Sequence, residues 1–392
     1  MINIEEAIEL VKKNSKPLNK EVIKPLVKAG GYFLFKDVKS PINMPPFRQS
    51  AMDGYAVHLH DKLTYTNIGE IKAGDALTHT LKPGDAVRIF TGAAVPDTAN
   101  AVIMQEKITR QGHVITVDKG VKINQNIRPK GEQVTTGDIA LKKGTKLTPA
   151  AIGYLTSLGI THVSVFKKPN IAIITTGNEL VTAGQPLGNG KIYESNAAML
   201  QSALYNLKFY DITRHNVEDD YNKTKDKLNT VINTNDLVII TGGISVGDYD
   251  FVGKALLELQ TNQIFYKVKQ KPGKPLFFGK KNETLIFALP GNPAAALSCL
   301  YVYVYIALQN MMGRDKLELP RVLAKSTSVF EKKGDRPQFL KAIHSTKGVE
   351  ILEGQSSAML QTFALSNALI YVKGPVNKIN INDELEVILL PQ

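Results

Sequence analysis

The chain has 392 residues, 43% of them hydrophobic and 21% charged, with a formal net charge of +12. This length exceeds one ordinary core and points to roughly two to four domains, and the composition excludes a disordered or collagen-like chain. The lone cysteine, Cys299, excludes an internal disulfide and a cysteine-rich metal site and fits a reducing, cytoplasmic setting. The positive charge favours anionic ligands. Lysines are scattered, Trp is absent and no recognition-helix or RNA-binding signature is present, so a small anionic substrate is expected and nucleic acid is not.

In chain order, MINIEEAIELVKKNSKP places acidic residues where a targeting signal needs basic ones and spaces its apolar residues helically, which predicts an amphipathic helix. Pro45-Pro46 forbids helix, and PPFRQSAMDGYAV (45–57) then brings an arginine, the Asp53-Gly54 turn and a short apolar strand. Alone, this is a loop entering a sheet; Arg48 and Asp53 matter only if other segments supply partners. AVRIFTG, AVIMQE and VITVDKG, separated by Gly and Pro turns, predict a small β domain. LTPAAIGYLTSLGITHVSV predicts a helix with Thr148 as N-cap, Pro149 in the first turn and Gly159 as C-cap, followed by a strand.

From Pro169 onward, apolar strands alternate with Gly-bearing loops and amphipathic helices, which predicts a three-layer α/β domain with a mostly parallel sheet. Such sheets bind ligands beyond the carboxyl ends of their strands, where TTGNE (175–179), TGGISVGDYD (241–250) and LPGNP (289–293) fall. Gly242, Gly243 and Ser245 suit a backbone cradle for phosphate, although the pattern is neither a P-loop nor a dinucleotide fingerprint and a plain Gly-rich turn is the alternative. Glu179, Asp248 and Asp250 on these loops suit a divalent ion such as Mg²⁺, or are simply solvated. In FYKVKQKPGKPLFFG, Lys267, Lys269 and Lys271 alternate along an expected strand, with Lys274 beyond a Pro-Gly turn; the stripe reads equally as an anion site or a solvated face. ALSCLYVYVYIALQNMM (296–312) is interrupted by polar residues and falls short of the ~20 residues of a spanning helix, so a buried helix and no membrane are expected. Past Arg314 the chain reads as strands and turns without a convincing helix. The histidines, Cys299 and Ser245 have no evident partners for metal, thiolate or triad chemistry.

FRQSAMDGYAV, RIFTGAAVP, RPKGEQV, TTGNELV, TGGISVGDYD, KPGKPLFFG and LPGNPAAAL, in that order along essentially the whole chain, resemble the molybdopterin molybdenumtransferase family, MoeA, which includes the E domain of gephyrin. The resemblance implies an α/β multidomain homodimer. Its parts would be a discontinuous N-terminal domain (1–47 with 129–167), an inserted β domain (48–128), a three-layer molybdopterin-binding α/β domain (168–316) and a C-terminal β barrel (317–392). It implies insertion of molybdate into adenylyl-molybdopterin with release of AMP, helped by Mg²⁺, in the cytoplasm beside a molybdopterin adenylyltransferase. Asp53, Glu179 and Asp250 resemble the family's catalytic carboxylates, and Glu179, Asp219 and Asp250 its metal ligands. Arg48, Thr91, Arg128, Asp219, Gly242, Gly243, Ser245, Lys267, Lys271, Lys274, Pro290, Pro293, Arg336 and Ser357 match its substrate-binding set. One departure is Gln133 after Gly131-Glu132, where the family often has Asp; an amide neither titrates near neutrality nor binds a hard cation as strongly. The alternatives are a molybdopterin adenylyltransferase, which lacks the flanking domains, and a gephyrin-like scaffold.

Overall fold

The computed structural model describes residues 1–76, 78–118, 120–244, 251–314 and 316–391. The chain forms two units, one of Val22–Val165 and one of Met1–Glu21 with Phe166–Gln392.

The smaller unit carries a six-stranded sheet in the order Ala101–Met104, Gly54–Val57, Asp85–Ile89, Thr64–Ile71, Val114–Val117, Ile108–Gln111. Side-chain alternation sends Tyr55 and Val57 into one apolar cluster and Ala56 into another, which is why GYAV is buried throughout. Gly54 is required by close approach, because a Cβ there would lie 1.9 Å from the carbonyl oxygen of Ile103. A third cluster gathers around the helix Pro149–Ser157, through Leu155 with Leu26, Leu34 and Val163. That helix begins as predicted: Thr148 Oγ1 accepts the Ala151 N–H at 3.2 Å, Pro149 occupies the first turn, and Gly159 beyond its end has φ +78°.

The larger unit has a six-stranded sheet in the order Ile212–Val217, Ile171–Thr176, Leu237–Thr241, Thr284–Leu289, Phe277–Lys281, Asn262–Tyr266. The first four strands run parallel, and Phe277–Lys281 runs antiparallel to both of its neighbours. Ala172, Ile174, Val238, Ile240, Ile286 and Ala288 share one core with Leu228, Val231 and Val252 of the helices Tyr221–Thr234 and Phe251–Glu258. The helices Asn196–Asn206 and Pro293–Cys299 also pack on the sheet, so these strands are apolar on both faces and read as continuous hydrophobic runs. The second of these helices extends to Met311 through a π-helical turn at Leu300–Val304; its 19 residues would suffice in length and composition to cross a membrane, but they are buried in the protein.

The amphipathic helix Ile4–Asn14 buries Ile4, Ala7, Ile8 and Val11 and belongs by its contacts to this unit. Leu18 N–H donates to Met311 O at 2.8 Å, and Asn310 Nδ2 donates to the carbonyls of Lys12 and Ser15 at 3.1 and 2.7 Å. In the C-terminal region five antiparallel strands run in the order Arg321–Lys325, Glu384–Leu389, Ala368–Val372, Gln338–Ser345, Gly348–Ile351. The two outer strands meet where Ser326 bridges Val349, which curls the sheet around Leu340, Ala342, Ile370 and Val387. A six-residue helix, Leu360–Leu365, is present where the sequence reads as turns. It is too short to be stable alone and depends on burial of Phe363, whose ring lies 6.4 Å from that of Tyr301.

Two glycines make opposite predictions. Gly54→Ala forces a methyl onto a buried strand backbone and should lose about 1–3 kcal/mol or more of stability. Gly153→Ala, inside a helix with open space around the position, should gain about 0.5–1 kcal/mol. Urea unfolding of both variants against the parent chain checks the signs.

Candidate functional site

The ends of the parallel strands in the larger unit line one cavity of about 670 Å³. Thr175–Gly177 with Glu179, Thr241–Ile244 and Pro290–Pro293 form its walls, joined by Ile192–Asn196 and Asp219. Close backbone approach requires glycine here: Gly242 and Gly243 have φ of +91° and +64°, and a Cβ on Gly242 would lie 2.5 Å from the Thr176 carbonyl oxygen. The hydroxyl of Thr241, buried, accepts from Asn196 Nδ2 at 2.8 Å and donates to Pro290 O at 3.2 Å, while Asn196 Nδ2 also donates to Gly291 O at 2.7 Å. Three loops are thereby tied at one point.

Thr176 Oγ1 and Asn196 Oδ1 are buried and have no hydrogen-bond partner among the described residues. Both residues line the cavity, so a polar ligand would satisfy groups that are otherwise costly to bury. Asn178 and Asp219 lock the strand-end loops reciprocally: Asn178 N–H donates to Asp219 Oδ2 at 3.1 Å, and Asp219 N–H to Asn178 Oδ1 at 3.0 Å. Glu194, a third acid on the wall, accepts the Ala197 N–H at 2.8 Å. Glu179 and Asp219 thus supply two carboxylates to the same cavity as the glycine backbone of Gly242 and Gly243. Mg²⁺ takes one or two carboxylates and completes its shell with substrate phosphates and water, so these residues fit it. Among the described residues no group of three His, Cys, Asp or Glu side chains is placed to hold a metal. Ser245, Asp248 and Asp250 lie outside the described residues.

At the LPGNP turn the first amides of the helix Pro293–Cys299 are not open. Ala294 and Ala295 N–H both donate to the carbonyl of Ser357, at 3.1 and 3.3 Å, and Asn292 Nδ2 donates to Ser357 Oγ at 2.9 Å. The expected lysine stripe does not form on one strand. The strand ends at Tyr266, and Lys267 has φ +70°, which turns the chain and breaks the alternation. Lys267 Nζ sits over the Tyr266 ring at 4.9 Å, Lys269 pairs with Asp335 at 3.1 Å, and the backbone of Lys271 bonds Pro337 O and Phe339 N–H, each at 2.9 Å. Lys274 is exposed beside Pro275 of the cavity wall, and the Arg336 carbonyl accepts from the buried Lys332 at 3.3 Å.

The smaller unit holds a second cluster. Asp53 Oδ1 accepts both the backbone N–H and the hydroxyl of Thr91, each at 2.7 Å. These two bonds, with a lesser contribution from the Arg88 charge, hold the Asp53 carboxyl below its usual range. The segment Ile127–Arg128 pairs antiparallel with Gln49–Ser50, setting Arg128 opposite Gln49, and Ser50 O accepts the Gly92 N–H at 2.9 Å. Arg48, Asp53, Thr91 and Arg128 are therefore knitted into one region. The Arg48 guanidinium is already bonded to three carbonyls, those of Pro96 and Asp97 at 3.2 Å and of Ala99 at 2.8 Å, and so fastens the 96–99 loop.

Thr176 and Thr241 lie in the TTGNE and TGGISVGDYD segments expected at this edge, but Asn196 escapes a sequence reading: its local signal is that of a helix start, and only the tertiary structure brings it to the cavity.

Removing the Thr91 hydroxyl should loosen Asp53. In a ¹³C carboxyl titration the Asp53 midpoint is expected below the ordinary Asp range in the parent chain and higher in Thr91→Val. The sign is that of a carboxylate favoured when ionised: its small stabilisation of the folded chain is present above the ordinary Asp range and lost as pH falls through the lowered midpoint.

Comparison with known proteins gives a consistent set of relationships. Residues 2–159 match the MoeA N-terminal region (domain I and II), 172–310 a probable molybdopterin binding domain, and 324–390 the MoeA C-terminal region (domain IV). A molybdopterin molybdenumtransferase from Haemophilus influenzae is 36% identical over 358 residues, covering 89% of this chain and 88% of the relative. One from Staphylococcus epidermidis is 29% identical over 404 residues, covering 99% and 95%. The crystal structure of a molybdopterin biosynthesis MoeA protein from Pyrococcus horikoshii superposes with a TM-score of 0.85 at 29% identity, covering 99% of this chain and 100% of that one.

Proposed function

The chain belongs to the molybdopterin molybdenumtransferase family, MoeA, and we propose that it transfers molybdenum by inserting molybdate into adenylylated molybdopterin with release of AMP. The observation that carries this reading is the cavity at the ends of the parallel strands, where a glycine-cleared backbone, two carboxylates and two buried oxygens without a hydrogen-bond partner among the described residues meet. Sheets of this kind receive phosphorylated ligands at that edge.

Gly242 and Gly243 would let a phosphate approach main-chain N–H groups without side-chain obstruction, with Ser245 beyond them. Thr176 Oγ1 and Asn196 Oδ1 would take polar groups of the nucleotide or pterin, and Pro290 and Pro293 shape the floor. Lys267, Lys271, Lys274, Arg336 and Ser357 are proposed to serve the substrate's anionic groups from the same unit. Glu179 and Asp219, with Asp250, would hold Mg²⁺; when bound, the ion supplies positive charge that offsets repulsion between a polyanionic substrate and incoming molybdate.

In the smaller unit Arg128 would attract molybdate. Asp53, positioned by the Thr91 N–H and hydroxyl, is proposed as a catalytic carboxylate at this end of the reaction. Arg48 would act by fixing its loop. No covalent nucleophile enters: Cys299 is buried, and desolvation pushes its thiol up to about 12. Action as a homodimer in the cytoplasm, receiving its substrate from a molybdopterin adenylyltransferase, completes the proposal and rests on kinship with the family.

The test is AMP measured from adenylyl-molybdopterin and Mg²⁺ with and without molybdate. AMP release is expected to depend on molybdate; equal release in its absence would overturn the reading. Glu179→Gln should keep the parent circular dichroism spectrum while raising the Mg²⁺ concentration for half-maximal turnover about tenfold or more. Mg²⁺ binding by calorimetry, with substrate present, should weaken in parallel.

A further inference from the structure

The C-terminal region contains two lysines whose ammonium groups are removed from solvent and, among the described residues, bonded to main-chain carbonyls alone. Lys341, 4% exposed on the strand Gln338–Ser345, donates to the carbonyls of Gly354, Ser356 and Met359 at 2.7, 3.1 and 3.0 Å. Lys332, 5% exposed, donates to those of Gly334, Arg336 and Gly374 at 2.6, 3.3 and 2.8 Å. A buried ammonium is costly unless every proton is used, so each cage holds its loop in the one arrangement that presents three carbonyls to a single point. Burial holds the Lys341 ammonium below the usual lysine range, in keeping with a cage made of neutral groups.

The loop held by Lys341 is the one that reaches the cavity. Gln355 doubles the attachment, accepting the Lys341 N–H through Oε1 and donating to the Lys341 carbonyl through Nε2, both at 2.9 Å. Between the caged carbonyls stands Ser357, whose own carbonyl takes the Ala294 and Ala295 amides and whose hydroxyl takes Asn292 Nδ2. Asn292 and its neighbours Gly291 and Pro290 line the cavity, and the last two accept from Asn196 and Thr241. An unbroken series of short contacts runs from a buried lysine of the C-terminal sheet to the cavity wall.

We propose that Lys341 is a positioning residue for the cavity: its three-carbonyl cage sets the Gly354–Met359 loop, and through Ser357 that loop fixes the LPGNP turn against which the substrate is held. The consequence for catalysis rests on the functional reading above; the mechanical coupling does not. Lys341 touches no substrate. Its removal releases a loop, so it should weaken binding more than turnover.

The test compares Lys341→Met, which keeps the chain length and removes the donors, with Lys332→Met, a change of the same kind in an equally buried cage on a different loop. Deuterium exchange followed by mass spectrometry, below the melting temperature of each full-length variant, reads the peptides containing Ala294 and Ala295. Exchange there should rise about tenfold or more in Lys341→Met and stay within about twofold of the parent in Lys332→Met. In the AMP assay Lys341→Met should raise KM for adenylyl-molybdopterin about tenfold with kcat within about twofold. If Lys341→Met does not fold, Gln355→Ala is used, which leaves the ammonium in place and should give the same pattern at reduced size. Unchanged exchange at Ala294 and Ala295 in the folded variant, or an equal rise in Lys332→Met, overturns the coupling. Raised exchange with unchanged KM overturns the positioning role. Failure of the functional reading itself is separately visible, as AMP release by the parent chain that ignores molybdate.

Discussion

One hydroxyl holds the cavity together. Thr241 ends a central strand, and its Oγ1 accepts from Asn196 at the start of one helix while donating to Pro290 at the entrance to another. Parallel strands deliver their ends to the same edge of the sheet, but the twist of the sheet leaves those ends splayed, and a cavity of fixed shape needs them tied. Because Thr241 is buried and polar, its hydroxyl must both accept and donate within the knot, which leaves Asn196 Nδ2 and Pro290 O little freedom of position. The glycines beside it have the same logic from the steric side, since any Cβ on Gly242 would push the neighbouring strand end away.

The cations invite a similar distinction between charge and its use. A net charge of +12 suggests a surface rich in anion sites, yet Arg48, Lys332 and Lys341 direct their protons to main-chain carbonyls. These groups shape loops, and charge spent on a carbonyl is not read from composition. Conversely, Asp53 is an exposed anion whose charge is sustained by two neutral donors from one residue. Composition reports how many charges a chain carries; only the hydrogen-bond geometry reports which of them are available.

Much of the architecture was legible because it follows from local rules. The Thr148–Pro149 start and the Gly159 stop of a helix, the continuous apolar strands from Ile171 onward, and the buried helix through Ala296–Met311 each carry a pattern that needs no distant partner. The lysines after Tyr266 misled because alternation was assumed to continue through Lys267, where a left-handed residue reverses the side-chain order. The helix Leu360–Leu365 was missed because its stability comes from Phe363 and not from its own sequence. Glu179, Gly242 and Pro290 could be placed at one sheet edge by topology alone. Asn196 and Lys341 could not, since their roles depend on which atoms come within 3 Å or so after folding.

The split of the larger unit between Met1–Glu21 and Phe166–Gln392 bears on how the chain is made. The helix Ile4–Asn14 is synthesised well before Asn310 and Met311, to which its end is fastened and which leave the ribosome roughly 15–60 s later at ordinary elongation rates. For that interval the stripe of Ile4, Ala7, Ile8 and Val11 has no docking surface. Val22–Val165 is continuous and can complete its contacts meanwhile, so nascent-chain order runs from the middle of the protein outward. The helix Ile4–Asn14 therefore waits through the synthesis of about 300 further residues before its partners exist, with its apolar stripe uncovered for that time.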